Sequence, residues 1–116
     1  MFNFEKLEVW QKSIAYAGQV YRVTKAFPKE EQFGLTNQIR RAANSIPSNI
    51  AEGSARPPAD YARFLGYAAG SLYEVVTQST IARNEGFINP AGYTQLYAAA
   101  EEISRMHSGL RRSLGD

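Results

Sequence analysis

Eight cationic side chains fall into three groups that could meet phosphate. Arg22, Lys25 and Lys29 follow an i, i+3, i+7 spacing, Arg40 and Arg41 are adjacent, and Arg105 and Arg112 share a helical face with Arg111 beside them. A guanidinium presents a planar fork of donors that fits a phosphate, and an ammonium supplies a point charge. Cations near a helix C-terminus also complement the macrodipole, which accounts for Arg22, Lys25, Arg111 and Arg112. It does not account for Arg40 and Arg41, which fall early in a helical pattern, with Arg40 predicted outward. Arg40 and Arg41 are therefore the first candidates for phosphate contacts, and Arg22, Lys25 and Lys29 the second. No base-reading constellation accompanies them, so little sequence preference is expected.

Other chemistry is sparse. The chain has one histidine and no cysteine, which removes the common zinc sites. It has no Glu-x-x-His pair for a di-iron bundle, no phosphate-cradling glycine loop and no nucleophile elbow. His107 lies on an apolar stripe near a helix end and is expected to pack or cap rather than to act as a base. Glu52 and Glu74 lie beside apolar stripes and are expected to pair with arginines such as Arg56. No catalytic residue, metal or cofactor is expected, and the chain is read as a non-enzyme.

The elements that must position these residues are four amphipathic segments. Residues 7–26 place Leu7, Trp10, Ile14, Ala17, Tyr21 and Thr24 at alternating spacings of three and four. Phe27-Pro28 ends this run, because a residue before proline avoids the α region. The connector "KEEQFG" has room for one helical turn. The second segment carries Leu35, Ile39, Ala42, Ile46, Asn49 and Gly53, and "SARPP" breaks it. The third carries Tyr61, Leu65, Ala68, Leu72, Val75, Ser79 and Ala82, with Gly86 placed to stop it. Asn89-Pro90 reads as an N-cap and first helical residue, followed by Tyr93, Leu96, Ala100, Ile103, His107, Leu110 and Leu114. Four helices with short connections predict one all-α domain over residues 1–116, an antiparallel up-down-up-down four-helix bundle.

Two features disturb that pattern. Pro47 lies inside the second segment among Asn44, Ser45, Ser48 and Asn49, yet Ile46 and Ile50 keep the apolar spacing across it. A helix kinked at Pro47 is expected rather than a break, with Ser48 or Asn49 serving freed backbone groups. The polar residues either line the bend or form a partner surface. In the third segment, Ala62, Gly66, Ala69, Gly70 and Tyr73 form a second small or apolar face behind the core stripe. Glycine inside a helix costs about 1 kcal/mol relative to alanine, so close packing is expected there. A four-helix bundle buries one face of each helix, so another copy of the chain is the simplest cover.

Composition sets the outer bounds. The 116 residues carry a formal charge of +2, and residues 1–57 hold eight basic and five acidic side chains. That is a mild anion preference at most. No apolar run approaches the roughly 18 residues of a membrane span, and "MFNFEKLEVW" lacks signal-peptide order. A soluble, cytoplasmic protein is expected, with no membrane partner.

The stretches "FEKLEVWQKS", "FPKEEQFGLTNQIRRAANSIPSNIAEGSAR" and "FLGYAAGSLYE" resemble the bacterial four-helix-bundle proteins encoded in intervening sequences of 23S rRNA genes. The residues recurring in that family match here at Trp10, Gly34, Gln38, Arg40, Arg41, Pro47, Asn49, Glu52, Gly53, Arg56, Phe64, Leu65, Gly70, Ser71 and Glu74. The resemblance implies a cytoplasmic bundle assembling as a ring-shaped homopentamer, and it brings no catalytic residues. The chain is also similar to the accessory variability determinant of diversity-generating retroelements, a basic pentamer that binds nucleic acid and a reverse transcriptase. Partners implied are further copies of the chain, RNA or DNA, and a reverse transcriptase or other protein. Two functional readings stay open: an oligomeric nucleic-acid-binding accessory protein, or a structural or interaction scaffold that binds no nucleic acid.

Overall fold

The structure, a computed structural model, describes residues 1–115. Its helices are α1 (Glu8–Thr24), α2 (Leu35–Ser54), α3 (Pro58–Asn84) and α4 (Pro90–Ser113), with short 3-10 turns at Asn3–Lys6 and Lys29–Glu31. No strand occurs among the described residues. Each helix packs on the next and α4 returns to α1, the ring order of an up-down-up-down bundle. The molecule measures 42 × 23 × 23 Å.

The helix ends follow the local chemistry. Gly86 takes φ +80°, a conformation that a side chain resists, and the Phe87 N–H then donates to the Ala82 carbonyl at 2.8 Å. That contact closes α3, and the Phe87 ring lies 5.7 Å from Phe27 of the α1/α2 connection. Asn89 caps α4 by accepting from the Gly92 N–H at 2.7 Å, with Pro90 as the first helical residue.

The core runs through Val20, Ile39, Ile46, Ile50, Leu65, Leu72, Val75, Leu96 and Ile103. The stripes of α2, α3 and α4 match expectation, but that of α1 is turned by about one residue. Its core face is Val9, Ser13, Tyr16, Ala17, Val20 and Thr24, of which Ala17 and Thr24 were expected, while Ile14 and Tyr21 stand 46% and 38% exposed. The reason is chemical. Ser13 and Thr24 donate to the carbonyls of Val9 and Val20 at 2.7 and 2.8 Å, so these hydroxyls satisfy themselves inside the core. Ser13 thus takes a core place that the expected stripe gave to Ile14, while Ala17 and Thr24 are buried as expected.

Helix α2 continues through Pro47, which is buried. Pro47 has no N–H to give the Ala43 carbonyl. Around it, Ser45 donates to Ala42, Ser48 to Asn44 and Asn49 to Ser45, at 2.8–2.9 Å, each to a backbone carbonyl. The same polar group also ties α2 to its neighbours. Asn44 donates to the Tyr21 hydroxyl at 2.9 Å, and the Ser45 and Ser71 hydroxyls lie 2.6 Å apart.

Candidate nucleic-acid and assembly surfaces

The cations do not gather on one face. Arg22, Lys25 and Lys29 are exposed along the end of α1 and its connector. Arg22 lines a cleft against α4 with Lys12, Gln19 and Glu102, where Lys12 and Glu102 pair at 3.2 Å. Tyr16 lines the same cleft. Its hydroxyl is buried with no partner among the described residues, and burial pushes the phenol well above its ordinary range.

The two adjacent arginines part company. Arg40 is half-buried rather than outward: its Nε donates to the Thr24 hydroxyl at 2.8 Å, and its guanidinium lies 4.8 Å from the centre of the Tyr21 ring. It pins α2 to the last turn of α1. Arg41 is the outward member, on the opposite flank of α2. There it shares a groove of about 410 Å³ with Asn37, Gln38, Ala42 and Ser45 of α2 and Glu74 and Gln78 of α3. Arg41 and Glu74 make no hydrogen bond or ion pair among the described residues. Glu52 pairs with Arg56 at 3.6 Å, as its spacing predicted. Glu74 has no such partner.

His107 is buried and bonds through Nε2 to the Leu65 carbonyl of α3. A carbonyl only accepts, so Nε2 carries the proton. The side chain thus joins α4 to α3.

The expected close packing at Gly66 and Gly70 is absent within the chain. A Cβ at either would meet no atom within 4 Å. The close approach lies at Gly53 instead, where a Cβ would stand 2.7 Å from Phe64 Cβ and 3.1 Å from Tyr61 Cδ1. Sequence gave no means of ranking these three helical glycines. Ala62, Gly66 and Ala69 are half-buried and Gly70 exposed, while Tyr73 is 61% exposed. Beside them an apolar groove of about 350 Å³ opens between α3 and α4, lined by Leu72, Tyr73, Val76, Tyr97 and Ala100. Gln78 was not foreseen as a site residue. Its signal was the i, i+4 spacing from Glu74, which gains meaning only once Arg41 is known to face it.

No group of three or more potential metal ligands occurs among the described residues. No helix is long and apolar enough to cross a membrane among them.

The model of the 23S rRNA-intervening sequence protein family matches residues 5–109. Among solved structures, the chain is similar to a protein of unknown function from the S23 ribosomal protein family of Bacteroides thetaiotaomicron. Sequence identity is 21% and the TM-score 0.79, over 89% of this chain and 97% of that one. At that identity the likeness establishes the fold. A search of the curated proteins gives no match.

Proposed function

The chain belongs to the 23S rRNA-intervening sequence protein family, and from that premise we propose that it is a non-enzymatic, cytoplasmic accessory protein that self-assembles and binds nucleic acid through phosphate contacts. The observation that carries this reading is that the side chains of Arg22, Lys25, Lys29 and Arg41 are exposed with no hydrogen bond or ion pair among the described residues. Arg40 contributes less, because Thr24 and Tyr21 already hold its guanidinium.

Scattered cations on a chain of +2 give weak binding. Assembly multiplies them, and a strand that reaches several copies gains avidity without new contacts. The outer surface of α3 supports assembly: Gly66 and Gly70 have no neighbour within 4 Å, and Tyr73 and Tyr97 flank an apolar groove between α3 and α4. A pentamer is the form the family resemblance implies. The phosphate contacts themselves carry no sequence information.

The test combines light scattering with titration against single-stranded RNA and duplex DNA at two salt concentrations. Expected are a mass several times that of the chain and binding that weakens with salt, by a slope of roughly −0.7 per phosphate on a single strand. Arg41→Glu with Lys25→Glu should weaken binding and flatten that slope. An assembled protein that binds neither nucleic acid at low salt would favour the scaffold reading. That second reading has its own support in the absence of one continuous basic face.

A further inference from the structure

The α2/α3 groove holds three polar groups that the bundle does not use. Among the described residues the Glu74 side chain has no hydrogen bond or ion pair, and that of Arg41, which lines the same groove, has none either. Gln78 Oε1 is buried with no hydrogen-bond partner among the described residues. A buried polar atom without a partner is disfavoured by about 1–3 kcal/mol, so it points to a missing partner. The serines beneath are already engaged, Ser45 with the Ala42 carbonyl and the Ser71 hydroxyl.

A ligand that suits this groove must supply N–H donors to the α3 side and an anion to the α2 side. Glu74 and Gln78 are one helical turn apart; the Glu74 carboxylate is exposed to the groove, and the Gln78 oxygen becomes an acceptor there once its side chain turns outward. We propose that this groove takes a guanine nucleotide, the base edge against Glu74 and Gln78 and the phosphate on Arg41. Guanine alone among the common bases presents two adjacent donors, N1–H and the 2-amino group, which match the two oxygens of a carboxylate. Adenine and cytosine set an acceptor nitrogen beside their amino group, and uracil flanks one N–H with two carbonyls. A carboxylate is repelled by those acceptors. Asn37 and Gln38 complete the lining with amides that can donate to guanine O6 and N7. The opening of about 410 Å³ falls within the usual range of ligand clefts, roughly 300–1,000 Å³.

The Watson–Crick edge is free only in an unpaired base, so single strands are favoured over duplexes. The inference builds on the phosphate reading above and adds a base preference that phosphate contacts cannot give.

The experiment titrates the assembled protein with guanosine, GMP, AMP, CMP and UMP, and with oligoguanylate-containing and uridine-only strands. Expected is a GMP affinity about 10-fold above that for AMP, the discrimination of one bidentate pair. Glu74→Gln should abolish that preference while leaving binding to the uridine-only strand intact. Arg41→Gln should remove the advantage of GMP over guanosine. Equal affinity for all four nucleotides, or a preference that survives Glu74→Gln, overturns the proposal. Binding of the uridine-only strand alongside such equality overturns the groove and leaves the phosphate reading standing. A Glu74-dependent GMP preference with no strand bound supports the groove as a free-nucleotide site and removes the phosphate reading. No binding of any probe overturns both.

Discussion

The two long flanks of α3 are built differently. Toward α2, the backbone of Gly53 comes so near that a Cβ there would lie 2.7 Å from the Cβ of Phe64. Arg56 covers the Phe64 ring at 4.6 Å, and Ser45 meets Ser71 at 2.6 Å. Away from α2, Gly66 and Gly70 have nothing within 4 Å, and toward α4 an apolar groove stays open between Tyr73 and Tyr97. A helical glycine costs about 1 kcal/mol relative to alanine on either flank. On the first, close helix contact offsets that cost inside the chain. On the second, nothing in the chain does so, and the proposed cover is another copy.

The largest expected effect is at the closed flank. In Gly53→Ala, the new methyl meets a Cβ fixed to the α3 backbone, which no rotamer change can move. The helices must separate, and overpacking of this kind costs typically 1–3 kcal/mol, more than the propensity gain. Chemical denaturation should show a net loss of about 2 kcal/mol. Unchanged or increased stability would mean that α2 and α3 slide freely, and the contrast between the flanks would fail.

At the open flank the same kind of change should spare folding and affect assembly. Gly66→Leu and Gly70→Leu place large side chains where the chain has room. Each is expected to raise the dissociation constant of the oligomer at least tenfold, about 1.4 kcal/mol. The unfolding midpoint of the separated chain should hold. Mass measured over a dilution series by light scattering checks this. An assembly indifferent to both substitutions would place its interface elsewhere, and the exposed Ile14–Tyr21 side of α1 would be the next surface to test.

How much of this was legible in advance depends on what a residue needs from its neighbours. Helix ends were readable because their causes are local: Asn89-Pro90 starts α4 and Gly86 stops α3 in the residues that carry the signal. The α1 face departs from the expected stripe because Ser13 meets its hydrogen-bonding need within one helical turn and so tolerates the core, whereas Ala17 and Thr24 lie in the core as expected. Glycine carries no side chain to disclose its surroundings, so Gly53 looked no different from Gly66. Arg40 and Arg41 were adjacent letters with one charge. The helix turns about 100° between them, which sends one to α1 and the other to the α3 groove. Glu74 and Gln78 gained their candidate role only from what lies across that groove.

A smaller effect follows from replacing the open-flank glycines by alanine. With no atom within 4 Å, each methyl is free of contact, and the unfolded chain loses conformational freedom. Gly66→Ala and Gly70→Ala should each stabilise the separated chain by about 0.5–1 kcal/mol. Thermal unfolding at a concentration low enough to dissociate the oligomer reads this directly. A loss instead would show that the backbone there needs glycine for reasons inside the chain.

The smallest expected change is at Pro47, between the two neighbours that α2 serves. Pro47→Ala restores an N–H for the Ala43 carbonyl, and in an undisturbed exposed helix proline costs about 3 kcal/mol relative to alanine. Three terms oppose that gain here. The proline ring is buried, and each methylene removed from a core forfeits about 0.8 kcal/mol. The unfolded chain regains freedom that proline had restricted, about 0.4–1 kcal/mol. Ser45, Ser48 and Asn49 already supply hydrogen bonds to the carbonyls of Ala42, Asn44 and Ser45, so the surrounding backbone has less to recover. The terms leave a net change within about 1 kcal/mol and the fold intact. A loss above about 2 kcal/mol in denaturant unfolding would instead mean that the proline sets the position of α2, so that its replacement pulls Asn44 from Tyr21 or Ser45 from Ser71. Which contact fails can be read from the variant's structure. Loss of the Ser45–Ser71 contact would extend the closed character of the α2/α3 flank to its middle, whereas loss at Tyr21 would assign the proline to the seam with α1.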